Sequence, residues 1–305
     1  MDQRIAAAVL FALATVVGAL PWSLMRLLAA AVASAWRTFN VREHRVARRN
    51  VQLAFPQLDA AEQAVLHRAV MRTTALQALE TLRFWTRPHA RNLQSITQVH
   101  GAQWLDAAIA AGRGVIVAAP HFGNWELLNQ WLSTRTDLAI LYRAPESAIG
   151  EAFLRRVRRD ARVTQVRAEA AGIRELFKRL RAGGVVGILP DQQPKVGEGD
   201  YAPFFGRAAL TMTLLGRLAE RSHASVVFAW CERIDHGPTF ALHIESAPPG
   251  IDHPDPAAAV AALNQAVERI ALRDPAQYQW TYKRWSRRPP GSNEPNPYND
   301  VAPEA

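Results

Sequence analysis

A chain of 305 residues, 49% hydrophobic and 21% charged, is long enough to bury a large core. Its formal net charge of +9 points to an acidic partner: nucleic acid, an anionic membrane face, or a phosphorylated or acidic carrier substrate. The single cysteine, Cys231, excludes an intrachain disulfide and a thiolate-ligated zinc or iron–sulfur centre; after the apolar run 226–230 it reads as a small buried hydrophobe.

Residues 5–25 carry no charged side chain, close to the ~20 residues needed to cross a bilayer, although Gly18 and Pro21 interrupt the run. Apolar character resumes over 27–36 and no small-residue cleavage pattern ends it, so 1–36 predicts a retained hydrophobic membrane-anchor helix rather than a signal peptide. Arg37, Arg42, Arg45, Arg48 and Arg49 follow, a cluster that the positive-inside tendency keeps on the cytoplasmic face of the membrane, which places the body of the chain there. Over 57–85, Leu66, Val70, Leu76, Leu79 and Leu82 recur at helical spacing, with Asp59 and Glu62 suited to a helix N-terminus.

Beyond Pro88 short apolar runs alternate with helical stretches. Strands are expected at 114–119, 138–142, 185–189 and 225–230, with 240–245 paired to the last. Helices are expected at 126–132, 151–162, 173–181, 210–221 and 257–272, and an aromatic segment, 278–285, closes the fold. The fold class is α/β: a single sandwich domain over 37–289, with a mostly parallel, partly mixed sheet flanked by helices. The remainder, 290–305, is rich in Pro, Asn, Gly and Ser and reads as a disordered tail.

The segment 114–126, GVIVAAPHFGNWE, carries the chemistry. It places His121 at the carboxyl end of a buried strand, where open α/β sheets gather their active sites. Gly123 and Asn124 allow a tight turn, so that Glu126 can fold back on the imidazole, fix its tautomer and leave the other nitrogen free to take an alcohol's proton. As a bare pattern, histidine followed by an acid after four intervening residues also describes a structural histidine and a helix-terminal glutamate. Dinucleotide, Walker, HExxH and GxSxG motifs are absent, so no metal, nucleotide or flavin cofactor is implied, and no nucleic-acid module is recognisable.

PHFGNWELL, GGVVGILPDQ with APFFG, QWTYKRW and the opening ARRNVQLAFP together resemble the lysophospholipid acyltransferase superfamily. The likeness is greatest to its lipid A biosynthesis late (lauroyl/myristoyl) acyltransferase branch, and it covers most of the chain. The resemblance implies an acyltransferase with His121 as general base and Glu126 orienting it. It also implies acyl carrier protein as the thioester donor and a phosphorylated glycolipid, a lipid A precursor, as acceptor in lipopolysaccharide synthesis. Arg158 and Asp191 match the family's basic-helix arginine and PD-turn aspartate, with Arg143 and Asn124 as further substrate contacts. The register along 155–159 stays open, a solvated basic face being the alternative for any one arginine. Asp191 follows the strand 185–189 as His121 follows its own, so neighbouring parallel strands would deliver both to one crevice; an aspartate capping the next turn is the alternative. Phe204 and Phe205 belong either to a substrate groove or to the core. Coenzyme A as donor, a lysophospholipid or other glycolipid as acceptor, and a non-catalytic basic surface protein are the rival readings.

Overall fold

The apolar N-terminus folds as α1 (Gln3–Gly18) and α2 (Trp22–Thr38), bent by 112° about a break at Pro21, which lacks the N–H an uninterrupted helix would use. The single anchor helix expected over 1–36 is therefore two. Among the described residues no single helix is long and apolar enough to cross a membrane, although the bent pair qualifies by length and composition together. This computed structural model describes residues 3–235 and 237–301.

Next come α3 (Arg42–Ala54), the long α4 (Ala60–Thr86) and the short α5 (His89–Leu93). Asp59 accepts the N–H groups of Ala61 and Glu62, and Glu62 accepts that of Asp59, a reciprocal cap that starts α4 where the acidic residues predict. Both α1 and α2 pack on α4.

The α/β part then runs β1 (Ile96–His100), α6 (Ala102–Ala110), β2 (Val115–Ala118), α7 (Trp125–Arg135), β3 (Leu138–Tyr142), α8 (Ala148–Val157), β4 (Val163–Arg167), α9 (Ala170–Arg181) and β5 (Val185–Ile188). It continues with β6 (Gly199–Phe204), β7 (Arg207–Met212), α10 (Leu214–Ser222), β8 (Ser225–Ile234), β9 (Thr239–Ser246) and α11 (Pro256–Ala271). One seven-stranded sheet has the order β1-β9-β8-β2-β5-β3-β4. Every pairing in it is parallel except β8 with β9; that pair is expected from the sequence, and its antiparallel direction is seen in the structure. The mixed, mostly parallel α/β sheet flanked by helices is thus observed. Successive β2 side chains enter opposite apolar clusters, Ile116 and Ala118 on one face and Val115 and Val117 on the other, which is why this strand reads as a continuous apolar run.

Other spans differ from expectation as well. The helix expected over 151–162 stops at Val157, because the chain turns there to add β4 beside β3. The first residues of the helix expected over 210–221 form β7, where Leu210 pairs with Tyr201 in a two-stranded hairpin. The tail expected to be disordered is ordered through Val301: Tyr298 is buried and its hydroxyl donates to Asn50, while the Val301 carbonyl accepts from Arg45 Nε at 2.8 Å. Residues 302–305 of that tail lie outside the described residues.

Asn50 is the tie between α3 and the closing segment. Its Nδ2 donates to the carbonyls of Trp280 and Tyr282 at 2.6 and 2.7 Å, and its Oδ1 accepts from Tyr298. Replacing it strands buried polar groups, so Asn50→Ala is expected to lower unfolding free energy by about 2–3 kcal/mol, read from the midpoint of denaturant unfolding; a change within error would show that the tail is not bound there.

Candidate active site

Strands β2 and β5 are paired without offset, Val115 with Val185 through to Ala118 with Ile188. His121 and Asp191 stand at the same distance past those ends, each behind a proline, Pro120 and Pro190. They meet: His121 Nδ1 lies 2.7 Å from Asp191 Oδ1, and the His121 amide donates to Asp191 Oδ2 at 2.9 Å. The imidazole is 13% exposed at its side chain and the carboxylate 3%.

Burial opposes charge on Asp191, but the His121 imidazole and the two hydrogen bonds from His121 outweigh it and hold the carboxyl below its ordinary range. Behind the carboxylate lies Tyr278, whose phenol is pushed well up by burial and then by the Asp191 charge. Arg284, buried as well, adds positive charge to the same group, and burial pushes its own pKa down. Tyr278 and Arg284 sit in the aromatic segment 278–285, whose role the sequence left unassigned.

Glu126 has a different partner from the one expected. Asn124 caps α7, its Oδ1 accepting the Leu127 N–H at 3.0 Å, so the helix begins at Trp125 and sets that ring edge-on to His121 at 5.0 Å. One position on, about 100° around the helix, Glu126 points toward the end of α8, where its buried carboxylate takes a bidentate hydrogen bond from Arg158. No hydrogen bond links Glu126 to His121 among the described residues; the carboxylate on the imidazole is Asp191. Of the arginines over 155–159, Arg158 is the one turned inward, and its guanidinium also lies over Trp85.

The His121 turn is held tightly. Gly123 adopts φ +58°, and a side chain there would collide with the Cys231 carbonyl. Its own carbonyl accepts from Gln77, its amide donates to the Gln277 carbonyl at 3.1 Å, and the His121 carbonyl accepts the Gln279 N–H at 3.0 Å. Asn124 faces Glu80 at 3.5 Å rather than solvent; it is 1% exposed and does not line the cavity described next. Cys231 is fully buried and its thiol pKa is raised by burial, in keeping with a packing role.

In front of His121 opens a cavity of about 750 Å³, within the range of ligand sites. Ile140, Leu154, Ile173, Leu189 and Leu214 give it apolar walls, and Arg143, Arg158, Lys195 and Arg217 bring cations to it. His121, Arg158 and Arg143 therefore share one chamber, with Asp191 just behind the imidazole. The side-chain amide of Gln192 lies 3.3 Å from His121 Nε2. Phe204 and Phe205 are buried in the core, which decides between the two roles open for them. Among the described residues no group of three or more His, Cys, Asp and Glu is arranged to hold a metal ion.

A histidine braced by a buried carboxylate at the end of a parallel sheet thus faces a chamber with apolar walls and several cations, an arrangement able to carry out acid–base chemistry. Comparison with known proteins agrees: residues 3–287 match the family model described as bacterial lipid A biosynthesis acyltransferase. The chain is 26% identical over 278 residues to the lipid A biosynthesis palmitoleoyltransferase of Escherichia coli (strain K12), covering 90% of this chain and 89% of that one. To the lipid A biosynthesis lauroyltransferase of the same strain it is 26% identical over 256 residues, covering 83% and 82%. A phosphatidylinositol mannoside acyltransferase of Mycobacterium tuberculosis (strain CDC 1551 / Oshkosh) is 26% identical over 215 residues, covering 68% and 66%. The protein belongs to the bacterial lipid A biosynthesis acyltransferase family and is an acyltransferase.

The depressed pKa of Asp191 gives a pH signature. A carboxyl whose folded pKa lies below its unfolded value adds stability above the ordinary pKa of 3.8 and loses it as pH falls through the lower folded value. Asp191→Asn should therefore lose less stability than the parent on going from pH 5 to about pH 2, measured by urea unfolding; parallel acid profiles would contradict the assignment.

Proposed function

We propose that the protein transfers a fatty acyl chain from acyl carrier protein to a hydroxyl of a phosphorylated lipid A precursor, with His121 as general base and Asp191 as the carboxylate that orients it. The observation that carries this reading is the Nδ1–Asp191 hydrogen bond of 2.7 Å beside the large chamber. With Nδ1–H committed to Asp191, Nε2 holds the lone pair. Nε2 takes the acceptor's hydroxyl proton as that oxygen bonds to the thioester carbonyl carbon. The tetrahedral oxyanion collapses, the C–S bond breaks, and the imidazolium returns its proton to the departing thiolate. The acylated lipid and the free carrier thiol leave the site.

Glu126 acts here as the anchor of Arg158, holding that guanidinium in the chamber wall where it can face a developing oxyanion or an acceptor phosphate. Arg143, Lys195 and Arg217 have no ion-pair partner among the described residues and line the same chamber; they suit the acceptor's phosphates and the acidic carrier. The exposed apolar side chains of α1 and α2, among them Leu13, Val16 and Leu27, support attachment to the inner membrane. The arginines of α3 favour its cytoplasmic face. A different lipid acceptor is the second reading, favoured by the likeness to a protein named as a phosphatidylinositol mannoside acyltransferase.

His121→Ala is expected to reduce transfer by about 10²- to 10⁴-fold with the fold and membrane association intact, and Asp191→Asn to reduce transfer more than Glu126→Gln does. The purified protein should be offered acyl carrier protein and coenzyme A thioesters with a phosphorylated diglucosamine lipid, lysophospholipids and mannosylated phosphatidylinositol, and the products weighed by mass spectrometry. Retained transfer by His121→Ala would remove the imidazole from the mechanism, and acylation of another acceptor in preference would replace the lipid A reading.

A further inference from the structure

A second chamber lies away from His121, between α2 and the first half of α4. It measures about 180 Å³, and Arg37 of α2 and Arg68 and Arg72 of α4 converge on it over a floor of Ala33 and Met71. No carboxylate lines it, and none of the three arginines forms an ion pair among the described residues. Arg68 and Arg72 are spaced i,i+4 on one helix, a pairing of like charges that weakens a helix. Arg37 adds a third from across the gap, its guanidinium donating, among the described residues, to the Ser34 hydroxyl at 3.4 Å.

The remaining polar group in the wall supplies no counter-charge. His67 is 7% exposed, lies 3.2 Å from the His44 carbonyl and packs edge-on to the His44 ring. Burial, then His44 and the charges of Arg48 and Arg37, push its pKa down to about 4. Three exposed guanidinium groups thus line one space with no carboxylate in its wall, free to take an anion from outside the chain.

The approach to the chamber identifies the source. Along α2, Leu27, Ala30, Ser34 and Arg37 recur at spacings of three and four, so they share one side of the helix. That side begins with exposed Leu24 and Leu27, 48% and 67% accessible. From Leu27 to Arg37 the helix rises about 15 Å. An apolar lane that ends in three unpaired arginines matches a glycerolipid, acyl chains along the lane and phosphate at its end.

We propose that Arg37, Arg68 and Arg72 form a binding site for the phosphate of an anionic membrane phospholipid, separate from the catalytic chamber. The full chain can be floated with phosphatidylcholine vesicles with and without phosphatidylglycerol, and titrated in detergent with inorganic phosphate. Arg68→Gln/Arg72→Gln should lose about thirtyfold of the gain that phosphatidylglycerol confers, at roughly 1 kcal/mol per arginine, while keeping its binding to phosphatidylcholine. The charge-matched Arg113→Gln/Arg181→Gln, on exposed residues elsewhere, should keep that gain to within about threefold. If the double variant melts early, Arg37→Gln alone carries the comparison. Equal losses in both double variants, or no loss in the first, would overturn the site. Phosphate binding that the variants abolish, in a parent with no phosphatidylglycerol preference, would overturn the lipid as its source. Flotation does not depend on acyl transfer, so either outcome leaves the reading of His121 where it stands.

Discussion

The hydrogen bond between His121 and Asp191 rests on backbone registration. Two parallel strands side by side in the sheet run in step, and each gives way to a proline and then to one member of the pair. Side chains that far apart in sequence reach 2.7 Å only if the strands beneath them neither slip nor twist apart. A one-residue slip would turn every strand side chain to the opposite face and carry the pair out of contact. The apolar clusters on both faces of the sheet enforce the register, because Ile116, Ala118, Val186 and Ile188 pack into one and Val115, Val117 and Val185 into the other.

Around that pair the protein spends buried polar groups on holding the His121 turn. Gln77 of α4 binds the Gly123 carbonyl, and Glu80, one turn further on, is fully buried and forms an ion pair with Arg233 of β8. Gln277 closes the set, accepting from the Arg233 amide at 2.8 Å and donating to its carbonyl at 2.9 Å. Breaking a buried pair by removing one partner costs about 3–5 kcal/mol, so these groups weld α4, the sheet and the closing segment into one frame around the site. The closing segment also brings Tyr278 and Arg284 behind Asp191, whose carboxyl is held below its ordinary range, against its burial, by the His121 imidazole and the hydrogen bonds from His121.

The excess of positive charge is divided by place. Some arginines are neutralised structurally, Arg158 by Glu126 and Arg233 by Glu80. Among the described residues, Arg143, Lys195 and Arg217 have no ion-pair partner in the chamber before His121, and Arg37, Arg68 and Arg72 have none between α2 and α4. A net charge read from composition cannot distinguish these uses, since it depends on which acids fold next to which bases.

Much of the architecture is legible in local sequence: the apolar run that becomes β2, the β8–β9 pairing, the capped start of α4 and the position of His121 at a strand end all follow from patterns within a few residues. The hairpin β6–β7 escapes such reading because Leu210 looks like part of the helix that follows; only its cross-strand partner Tyr201 makes it a strand. Likewise β1 and β4 are short edge strands defined by their neighbours. The carboxylate at His121 illustrates the same limit. Sequence proximity favours Glu126, but the geometry of α7 turns Glu126 toward Arg158, and parallel pairing brings Asp191 in from a distant segment. Local sequence determined which residue types stand at the strand ends and helix starts, because propensity and capping act over a few residues. Tertiary structure alone decided which of them touch, because contact depends on sheet order, and sheet order is set by the packing of the whole core.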